Sequence, residues 1–221
     1  MRKMITVKIN GEERQYPQGA TYEDVTNDYQ QEYENLIALA ARDGKIRELF
    51  KKLTRDCEVT FFTLKDDVGN KTYVRSATML FLKAVFDVYG REAAQSCRVE
   101  FAIGNGSYIS PKEKINATEE NAAKIRNRMR ELVEAKTPFL KRSYSLDNAM
   151  ELFRKEGMKD KEKLFRYRRG SFVNIYEMDG YYDYYYGYML PNAGYVKWFD
   201  VIAYEDGFML LLPDKLVPSL V

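Results

Sequence analysis

The chain has 221 residues, 45% of them hydrophobic and 31% charged, which is the balance of an ordinary globular protein. Its formal net charge of +2 excludes a strong overall basic field of the kind that draws a protein to nucleic acid or a membrane. The absence of histidine excludes every Ser-His-Asp triad, Cys-His dyad and histidine metal site. The length suits two small domains or one large one.

The two cysteines, Cys57 and Cys97, lack the C-x-x-C spacing of a zinc or redox site. Two isolated thiols predict no disulfide scaffold and no bound metal, and they favour the reducing cytoplasm. The opening "MRKMITVKING" turns polar too early for a signal peptide, and no apolar run approaches the length of a membrane span. We therefore predict a cytoplasmic protein without a membrane partner.

The first 66 residues predict a small β-grasp domain. "MITVKINGEERQYP" has the alternating pattern of a half-buried strand and a two-residue turn signal at Asn10-Gly11, so it predicts a hairpin. "GATYEDVTNDYQQEY" follows as a helix. A strand, a turn at Asp43-Gly44, a short strand and the strand "CEVTFFTL" complete the domain over residues 1–66.

A second domain is predicted over residues 73–213, after a polar, turn-rich linker over 67–72. "YVRSATMLFLKAVFDVYG" is apolar on nearly every side and ends at Gly90, as in a buried helix. "NATEENAAKIRNRMRELVEAKT" and "SLDNAMELFRKEGM" are amphipathic helices, and the last segments predict four strands separated by glycine turns. Because helices and strands are segregated along the chain, the fold class is α+β.

The stretch "YYDYYYGYML" holds six tyrosines in ten positions and is interpreted as one of these strands. Strand alternation assigns its tyrosines to two faces, one with Tyr182, Tyr184, Tyr186 and Tyr188 and the other with Tyr181 and Tyr185. Most of these rings are explained by a core face and a wet face of a sheet. For Tyr185 alone, we favour a stacking platform for a base.

A basic and aromatic run, "KDKEKLFRYRRG", is the one segment whose composition resembles a nucleic-acid contact. Asp160 and Glu162 dilute its charge, which favours a solvated connection between elements. If RNA binds, the candidate contacts are Arg166, Arg168 and Arg169.

Two blocks of sequence resemble the N-terminal region of threonyl-tRNA synthetases. "ITVKINGEERQYPQGATYEDV" and "LTRDCEVTFFT" are similar to the TGS domain that opens those enzymes. "YVRSATMLFLKAV" resembles the helix of their editing domain, which carries His-Ser-x-x-His-Leu-Leu. "SFVNIYEM…YYGYMLPNAGYVKWFDV" resembles the later segment, which carries Cys-x-Gly-Pro-His. The resemblance implies a degenerate editing-like domain over residues 73–213.

The residues that this resemblance assigns to the editing site are all replaced. The family's two helix histidines fall on Arg75 and Met79, its cysteine on Tyr185 and its last histidine on Met189. An arginine cannot accept a proton near neutral pH, and methionine and tyrosine are poor zinc ligands. We therefore assign no catalytic residue and no metal, and we predict a relic ligand pocket formed by these four side chains. Arg75 would hold an anionic group and Tyr185 would stack on a ring. An ion pair with a surface carboxylate is the alternative for Arg75, and Met79 is better explained by core packing.

The tyrosines in place of the Cys-x-Gly-Pro-His motif resemble a narrower group, the bacterial uridine kinase-like proteins. In that group a TGS domain and a degenerate editing-like domain precede a kinase domain. The chain has no G-x-x-x-x-G-K-[ST] phosphate loop, so residues 214–221 are interpreted as the start of a linker to a missing kinase domain. The chain itself then needs no cofactor, and the resemblance implies ATP and magnesium only for that kinase.

Three functions remain open from the sequence. The leading hypothesis is a non-catalytic binding or regulatory region of a uridine kinase-like phosphotransferase, with a nucleotide or an RNA end as a weak partner and the kinase domain as a partner in cis. The alternatives are an editing-type aminoacyl-tRNA hydrolase and a structural module that forms a homodimer.

Overall fold

The computed structural model describes residues 3–166, 170–215 and 217. Within them the chain forms twelve β-strands and six α-helices, arranged in three separate sheets. The predicted α+β class is confirmed. The sheets contain both parallel and antiparallel pairs, and most helices lie between blocks of strands rather than alternating with single strands.

The first sheet has five strands in the order β2-β1-β5-β3-β4, and an α-helix packs on it. Its only parallel pair in the described chain is β1 with β5, at the centre of the sheet. This is the strand order of the predicted β-grasp fold. The elements are β1 (Met4–Ile9), β2 (Glu12–Pro17), α1 (Tyr22–Tyr29), β3 (Ile37–Arg42), β4 (Lys45–Arg47) and β5 (Cys57–Thr63).

Helix α1 starts where its sequence provides a capping box. The Asp24 amide donates to Thr21 Oγ1 over 3.1 Å, and the Thr21 amide donates to Asp24 Oδ2 over 2.7 Å. Two amides that the helix would leave unpaired are thereby satisfied. Tyr22, Val25 and Tyr29 are buried on the face that packs on the sheet.

The long helix α2 (Asp67–Tyr89) begins earlier than predicted, so residues 67–72, predicted as a linker, form its first turns. The polar character of this segment reflects an exposed helix start, next to which Asp66 Oδ2 accepts a 2.7 Å bond from the Thr63 amide. The helix ends at Gly90, whose φ of +86° is a conformation that favours glycine. The division into two domains stays a prediction.

Two further sheets and four further helices surround α2. A four-stranded antiparallel sheet has the order β11-β12-β7-β6, and a three-stranded antiparallel sheet has the order β10-β9-β8. The helices are α3 (Arg91–Ser96), α4 (Glu119–Glu134), α5 (Leu146–Lys155) and α6 (Lys159–Arg166). The strands are β6 (Arg98–Ile103), β7 (Gly106–Ser110), β8 (Leu140–Ser145), β9 (Phe172–Met178), β10 (Tyr181–Asp183), β11 (Asp200–Tyr204) and β12 (Gly207–Leu211).

Helix α2 is the centre of the larger hydrophobic core, in which Ala77, Leu80 and Phe81 are fully buried. Its one deeply buried cation, Lys83, is only 2% exposed and donates over 2.7 Å to Asp87 Oδ1 and over 2.6 Å to the Asp179 carbonyl. The second bond fixes α2 against the turn between β9 and β10. The tyrosine-rich segment that follows this turn is therefore held beside α2.

The tyrosine segment is not the long strand that the sequence suggested. Strand β10 ends at Asp183, and residues 184–190 have no regular structure. The two predicted faces are therefore wrong beyond Asp183, as the 86% exposure of Tyr186 illustrates. Asp183 Oδ1 accepts a 2.7 Å bond from the next amide, and Gly187 has a φ of +129°, so the local hydrogen bond and the glycine both favour irregular backbone.

Some of the regular structure was not predicted. Helix α6 lies in the run that was interpreted as a connection, and strand β8 lies between two predicted helices, where no element was predicted. The segment "GYVKWFDVIAYED" is a strand only from Asp200 onward. No helix in the described ranges is long and apolar enough to cross a membrane.

Candidate functional site

Helix α2 and the segment that follows β10 meet along two faces of the helix, and Arg75 lies on the first of them. Arg75 Nη1 donates a 2.6 Å bond to the Tyr188 carbonyl. Its guanidinium lies directly against Gly187, where a Cβ would be 2.6 Å from Arg75 Cζ. The structure thus brings the Arg75 helix and the tyrosine segment together, as the resemblance implied.

Both predicted methionines are completely buried in the same hydrophobic core as α2. The Ser76 hydroxyl lies 3.9 Å from Met189 Sδ and accepts a 2.9 Å bond from the Leu190 amide, which ties the segment to the helix. Met79 and Met189 are therefore packing residues in this conformation. A role for them or for Arg75 in ligand binding stays a prediction.

A buried polar cluster fills the space beside Arg75. We call Glu48, Arg75, Lys141 and Tyr176 the Glu48 cluster. Glu48 directly follows β4 of the first sheet and is 3% exposed. Its Oε2 accepts a 2.9 Å bond from Lys141 Nζ. Its Oε1 accepts a 3.2 Å bond from the Met189 amide and a bond from the Tyr176 hydroxyl.

The cluster holds one carboxylate and two cations, of which Lys141 is paired with Glu48 and Arg75 donates to a backbone carbonyl. Burial lowers the pKa of Arg75, and the neighbouring Tyr176 and Glu48 raise it in part. Burial, together with the adjacent Glu48 carboxylate, raises the pKa of the Tyr176 hydroxyl, so that the phenol stays protonated and donates. Since the carboxylate is bonded on both oxygens, the cluster is a tie between the β-grasp sheet and the rest of the molecule.

A cleft of about 520 Å³ opens on the second face of α2, and we call it the Asp183 cleft. Thr78 and Leu82 form the helix wall, Cys97 lies at the end of α3, and the start of α6 lies opposite. The segment from Tyr181 to Tyr185 forms another wall. Tyr185 therefore lines a cleft, as predicted, but Arg75 is not among the residues that line it.

Asp183 is the buried carboxylate of this cleft, with 6% of its surface exposed. Its Oδ1 accepts from the Tyr184 amide and lies 3.3 Å from Lys161 Nζ, at the start of α6. Its Oδ2 has one long contact, 3.4 Å, from the Tyr181 hydroxyl. Burial raises the pKa of Asp183, although Lys161 and the Tyr184 amide oppose this effect.

Tyr185 presents a hydroxyl without a hydrogen-bond partner. The ring is partly exposed, whereas the hydroxyl is buried and no group in the described part of the chain forms a hydrogen bond with it. Burial and the nearby Asp183 carboxylate raise the pKa of Tyr185 well above its ordinary value, but the two groups do not have the geometry of a formed hydrogen bond. An unpaired buried donor costs free energy, which a bound acceptor would recover.

The thiol of Cys97 also lines the cleft but is not an activated nucleophile. Burial raises its pKa to about 12, and its Sγ lies 3.4 Å from the Ala93 carbonyl. A thiol in this state is almost entirely protonated near neutral pH. Arg98, Lys114 and Lys159 add positive charge to the lining.

Asp183 and Lys161 are not among the site residues predicted from the sequence, which assigned no catalytic role to any carboxylate. The signal that could have identified Asp183 is its position as the only acidic residue among six tyrosines, since a carboxylate in such surroundings is buried or functional.

The predicted RNA contacts are only partly described. Arg166 is exposed at the end of α6, and Arg168 and Arg169 lie outside the described residues. In the described ranges no three His, Cys, Asp or Glu side chains are grouped so as to hold a metal ion. Independence from metals stays a prediction.

Comparison with known proteins identifies relatives of one kind along nearly the whole chain. No protein-family model matches it. It is 28% identical to the threonine–tRNA ligase of Thermotoga maritima over 210 residues, which are 92% of this chain and 31% of the ligase. The Thermotoga neapolitana ligase is 26% identical over 93% of the chain, and the Porphyromonas gingivalis ligase is 25% identical over 85%.

These relatives decide between the readings of the sequence only at a coarse level. The chain spans about a third of the length of the ligases that it matches, 31% and 29% in these examples. The similarity to threonyl-tRNA synthetases agrees with the resemblance stated above. It gives no support to a uridine kinase-like parent, and it favours the editing-type alternative over a kinase regulatory region.

Proposed function

We propose that this chain is an editing-type region of a threonine–tRNA ligase-like protein and that the Asp183 cleft hydrolyses the ester of an aminoacyl-tRNA. The observation that carries the proposal is a buried, weakly bonded carboxylate in an open cleft beside α2. The similarity to threonine–tRNA ligases over 92% of the chain supports it. The N-terminal β-grasp sheet corresponds in this proposal to the TGS domain of such proteins.

Asp183 acts as the general base in this proposal. Its Oδ1 is occupied by the Tyr184 amide and Lys161, so its Oδ2 is the freer oxygen to hold a water molecule. Because burial raises its pKa, the carboxylate is a stronger base than an exposed aspartate while ionisation is retained by the nearby ammonium group. No histidine is needed for this step.

The proposed reaction is the hydrolysis of the ester by one water molecule. The water oxygen attacks the carbonyl carbon of the ester and its proton passes to Asp183. Collapse of the tetrahedral intermediate breaks the bond to the ribose oxygen, which takes the proton from Asp183. The products are a free amino acid and a tRNA with a terminal hydroxyl group.

Lys161 and Tyr185 stabilise the negative charge that develops on the carbonyl oxygen. The raised pKa of Tyr185 keeps its hydroxyl protonated, so the unpaired hydroxyl can donate to that oxygen. The Lys161 ammonium, with its side chain 25% exposed, can approach it from the α6 wall. Arg98 and Lys159 supply positive charge for the phosphates of the RNA end, whereas Lys114 is paired with Glu92 in the same lining.

A need for such a reaction follows from the chemistry of a threonine-specific ligase. Serine lacks one methyl group of threonine, and one methyl group supports a discrimination of only about 10–200-fold by binding. A hydrolytic cleft that removes the wrong amino acid supplies the rest. We place this activity in the cytoplasm, with which the two free cysteines agree.

The test is hydrolysis of labelled seryl-tRNA and threonyl-tRNA by the purified chain, compared with the spontaneous rate. We expect Asp183→Asn to lower the catalysed rate by about 10²–10⁴-fold, the usual contribution of a positioned general base. Asp160→Asn is the matched control, because this exposed carboxylate lines the same cleft without touching Asp183 in a bond. It should change the rate less than about twofold, as surface substitutions do.

A wild-type rate equal to the spontaneous one on both esters would reject the hydrolase. If Asp160→Asn lowered the hydrolysis rate as much as Asp183→Asn does, the rate would depend on the overall negative charge of the cleft and not on Asp183 as a base. Tyr185→Phe, which removes one donor, should lower the rate by about 10²-fold if that donor faces the oxyanion.

A second candidate is binding without hydrolysis, and the Glu48 cluster favours it. The positions that carry catalytic groups in the resembled family are occupied by Arg75, the protonated phenol Tyr185 and two buried methionines, none of which is a base that can activate water. Such a region would hold an aminoacyl or nucleotide end, or act as a structural module, in a ligase-like or a uridine kinase-like parent. Saturable binding of the non-hydrolysable amide analogue of a seryl-tRNA end, without turnover of the ester, would favour it over the hydrolase.

A further inference from the structure

The β-grasp sheet carries a second cavity, far simpler in composition than the Asp183 cleft. Its volume is about 320 Å³, and its six lining residues are Tyr22, Arg42, Arg47, Lys51, Lys52 and Thr54. We call it the Tyr22 pocket. Four of the six residues are cations and none is an acid.

The chain brings these residues together through three separate elements. Arg42 ends β3, Arg47 ends β4, and Tyr22 is the first residue of α1. The loop that carries both lysines is held against the start of α1, because the Tyr22 amide donates a 3.0 Å bond to the Lys51 carbonyl. The pocket is therefore built on regular structure and its backbone amide is already satisfied.

The positive charge of the pocket is not neutralised by the protein. None of the four cations has a salt bridge to a carboxylate among the residues that the structure describes, whereas the nearby Arg55 is paired with Asp43 over 2.9 Å. Arg42 Nη1 donates over 3.1 Å to Thr54 Oγ1, and Lys51 lies over the Phe50 ring. These contacts orient the side chains and leave their charge available to a ligand.

Tyr22 supplies an independent sign of a missing ligand. The residue is 1% exposed, and its buried hydroxyl has no hydrogen-bond partner in the described chain. Burial raises the pKa of this phenol, and the neighbouring Arg42 and Arg47 guanidinium groups oppose the shift. Arg42 is close to the hydroxyl but the two groups do not have the geometry of a formed hydrogen bond, so the protonated hydroxyl remains an available donor. Buried hydroxyls without partners are rare and call for an explanation.

We propose that the Tyr22 pocket binds a phosphate group, supplied by an RNA backbone or by a free phosphorylated molecule. The lining provides hydrogen-bond donors from two guanidinium groups, two ammonium groups and two hydroxyls, and it contains no Asp or Glu. This is the composition that binds a phosphate. Thr54 and Tyr22 supply the hydroxyls. This site is separate from the deacylation chemistry and does not depend on it.

The first arm of the test uses inorganic phosphate, followed by amide chemical shifts of the whole chain. We expect saturable shifts in the 19–23 and 42–54 segments. Arg47→Gln should weaken the affinity by about tenfold, because it removes a charge-assisted contact. Lys45→Gln is the matched control, since it removes the same charge from an exposed position on the same strand, outside the pocket. It should weaken the affinity by less than about twofold.

The second pair of variants isolates the hydroxyl group. Tyr22→Phe should weaken phosphate binding by several-fold while the melting temperature holds or rises, because the variant removes a buried unpaired donor. Tyr29→Phe is its control: the Tyr29 hydroxyl is also buried and unpaired, but the ring packs on Phe61 outside the pocket. This variant should leave binding unchanged.

The second arm identifies the source of the phosphate. A short RNA hairpin titrated by fluorescence anisotropy should show an affinity that falls with salt concentration, with a slope that Arg47→Gln reduces by about one unit and Lys45→Gln does not. Phosphate binding with no effect of Arg47→Gln on the RNA would assign the pocket to small phosphorylated molecules.

Equal effects of Arg47→Gln and Lys45→Gln in both arms, or an absence of shifts in the pocket segments, would overturn the proposal. Both arms read binding rather than ester hydrolysis. An inactive Asp183 cleft therefore leaves their outcome unaffected, and a failure of this proposal says nothing about deacylation.

Discussion

The Glu48 cluster and the Asp183 cleft lie on two faces of the same helix, and they differ in how completely their buried polar groups are hydrogen-bonded. In the cluster both oxygens of Glu48 are bonded, to Lys141 on one side and to Tyr176 and a backbone amide on the other. In the cleft Asp183 keeps one weakly bonded oxygen, and the Tyr185 hydroxyl beside it has no partner. The first arrangement stabilises the fold, and the second leaves polar groups free for a ligand.

The motif positions are divided between these two faces. Arg75 and Met189 lie at the cluster, where the polar groups bond to one another. Tyr185 lies in the Asp183 cleft with Asp183 and Lys161, two residues that the motif does not include.

The largest effect should come from breaking the cluster. Glu48→Ala leaves the Lys141 ammonium, the Tyr176 hydroxyl and the Met189 amide without their acceptor, and we expect a loss of about 3–5 kcal/mol in the free energy of unfolding. Urea denaturation followed by circular dichroism measures it. Glu58→Ala, at an exposed carboxylate on β5, should cost less than about 0.5 kcal/mol. A loss for Glu48→Ala no larger than this control would mean that the cluster contributes little to the fold.

A smaller loss is expected at Gly187. Its φ of +129° is unfavourable for any residue with a side chain, and an added methyl group would collide with the Arg75 guanidinium. We expect Gly187→Ala to cost about 1–3 kcal/mol. In the double variant with Arg75→Ala the collision is absent, so the two losses should be less than additive in a double-mutant cycle. Additive losses would contradict the close packing of these residues.

Asp183→Asn should have the opposite sign and raise stability by about 0.5–2 kcal/mol at neutral pH, because the native carboxylate is buried at a cost to the fold. The raised pKa of Asp183 fixes the pH dependence. Its contribution to stability is fully present below the pKa of an unfolded aspartate and is lost as the pH rises through the higher folded pKa. The gap between the variant and the wild type should therefore widen with rising pH over that window.

Melting curves measured across this pH range test the point, with Glu58→Gln, at the exposed carboxylate on β5, as the reference. A gap that closes as the pH rises would show that the Asp183 carboxylate is stabilised in the folded protein rather than destabilised.

The smallest effect is expected at Tyr185. Removal of its unpaired hydroxyl in Tyr185→Phe should leave the free energy of unfolding unchanged or raise it by up to about 1 kcal/mol. The equivalent change at the cluster, Tyr176→Phe, should lower it by about 1–3 kcal/mol, since that hydroxyl donates to a buried carboxylate. A loss of similar size for both variants would remove the contrast between the two faces.

Local patterns were sufficient to predict the fold where the physics is local. The Asn10-Gly11 turn, the Thr21 cap and the apolar run of α2 each specify structure within a few residues, and the α+β class follows from their order. Strand β8 and helix α6 were not predicted, because each has only a short apolar face and an otherwise polar sequence. The end of the strand in the tyrosine segment was not predicted either, because an alternating pattern does not indicate where a strand ends. The domain boundary was placed inside α2 for a related reason, since an exposed first turn resembles a linker in composition.

The candidate sites were harder to predict because they depend on contacts between distant elements. The bond between Lys141 and Glu48 spans 93 positions along the chain, and no sequence pattern indicates it. Likewise, Lys161 meets Asp183 only because α6 folds back over β10. The ligand-binding roles of Arg75, Met79, Tyr185 and Met189 remain predictions. The experiments above separate the Glu48 cluster, beside which Arg75 and Met189 lie, from the cleft that Tyr185 lines.

The contact between Gly187 and Arg75 also limits which residues can stand at position 187. The glycine of the resembled Cys-x-Gly-Pro-His motif falls on Gly187, so this position carries the motif residue while the positions of the cysteine and the histidine carry other residues. The Arg75 guanidinium lies where a Cβ at position 187 would be, and the φ of +129° disfavours any side chain there. Any residue other than glycine therefore requires both a strained backbone and a displaced guanidinium, so the residue at position 75 restricts the choice at position 187.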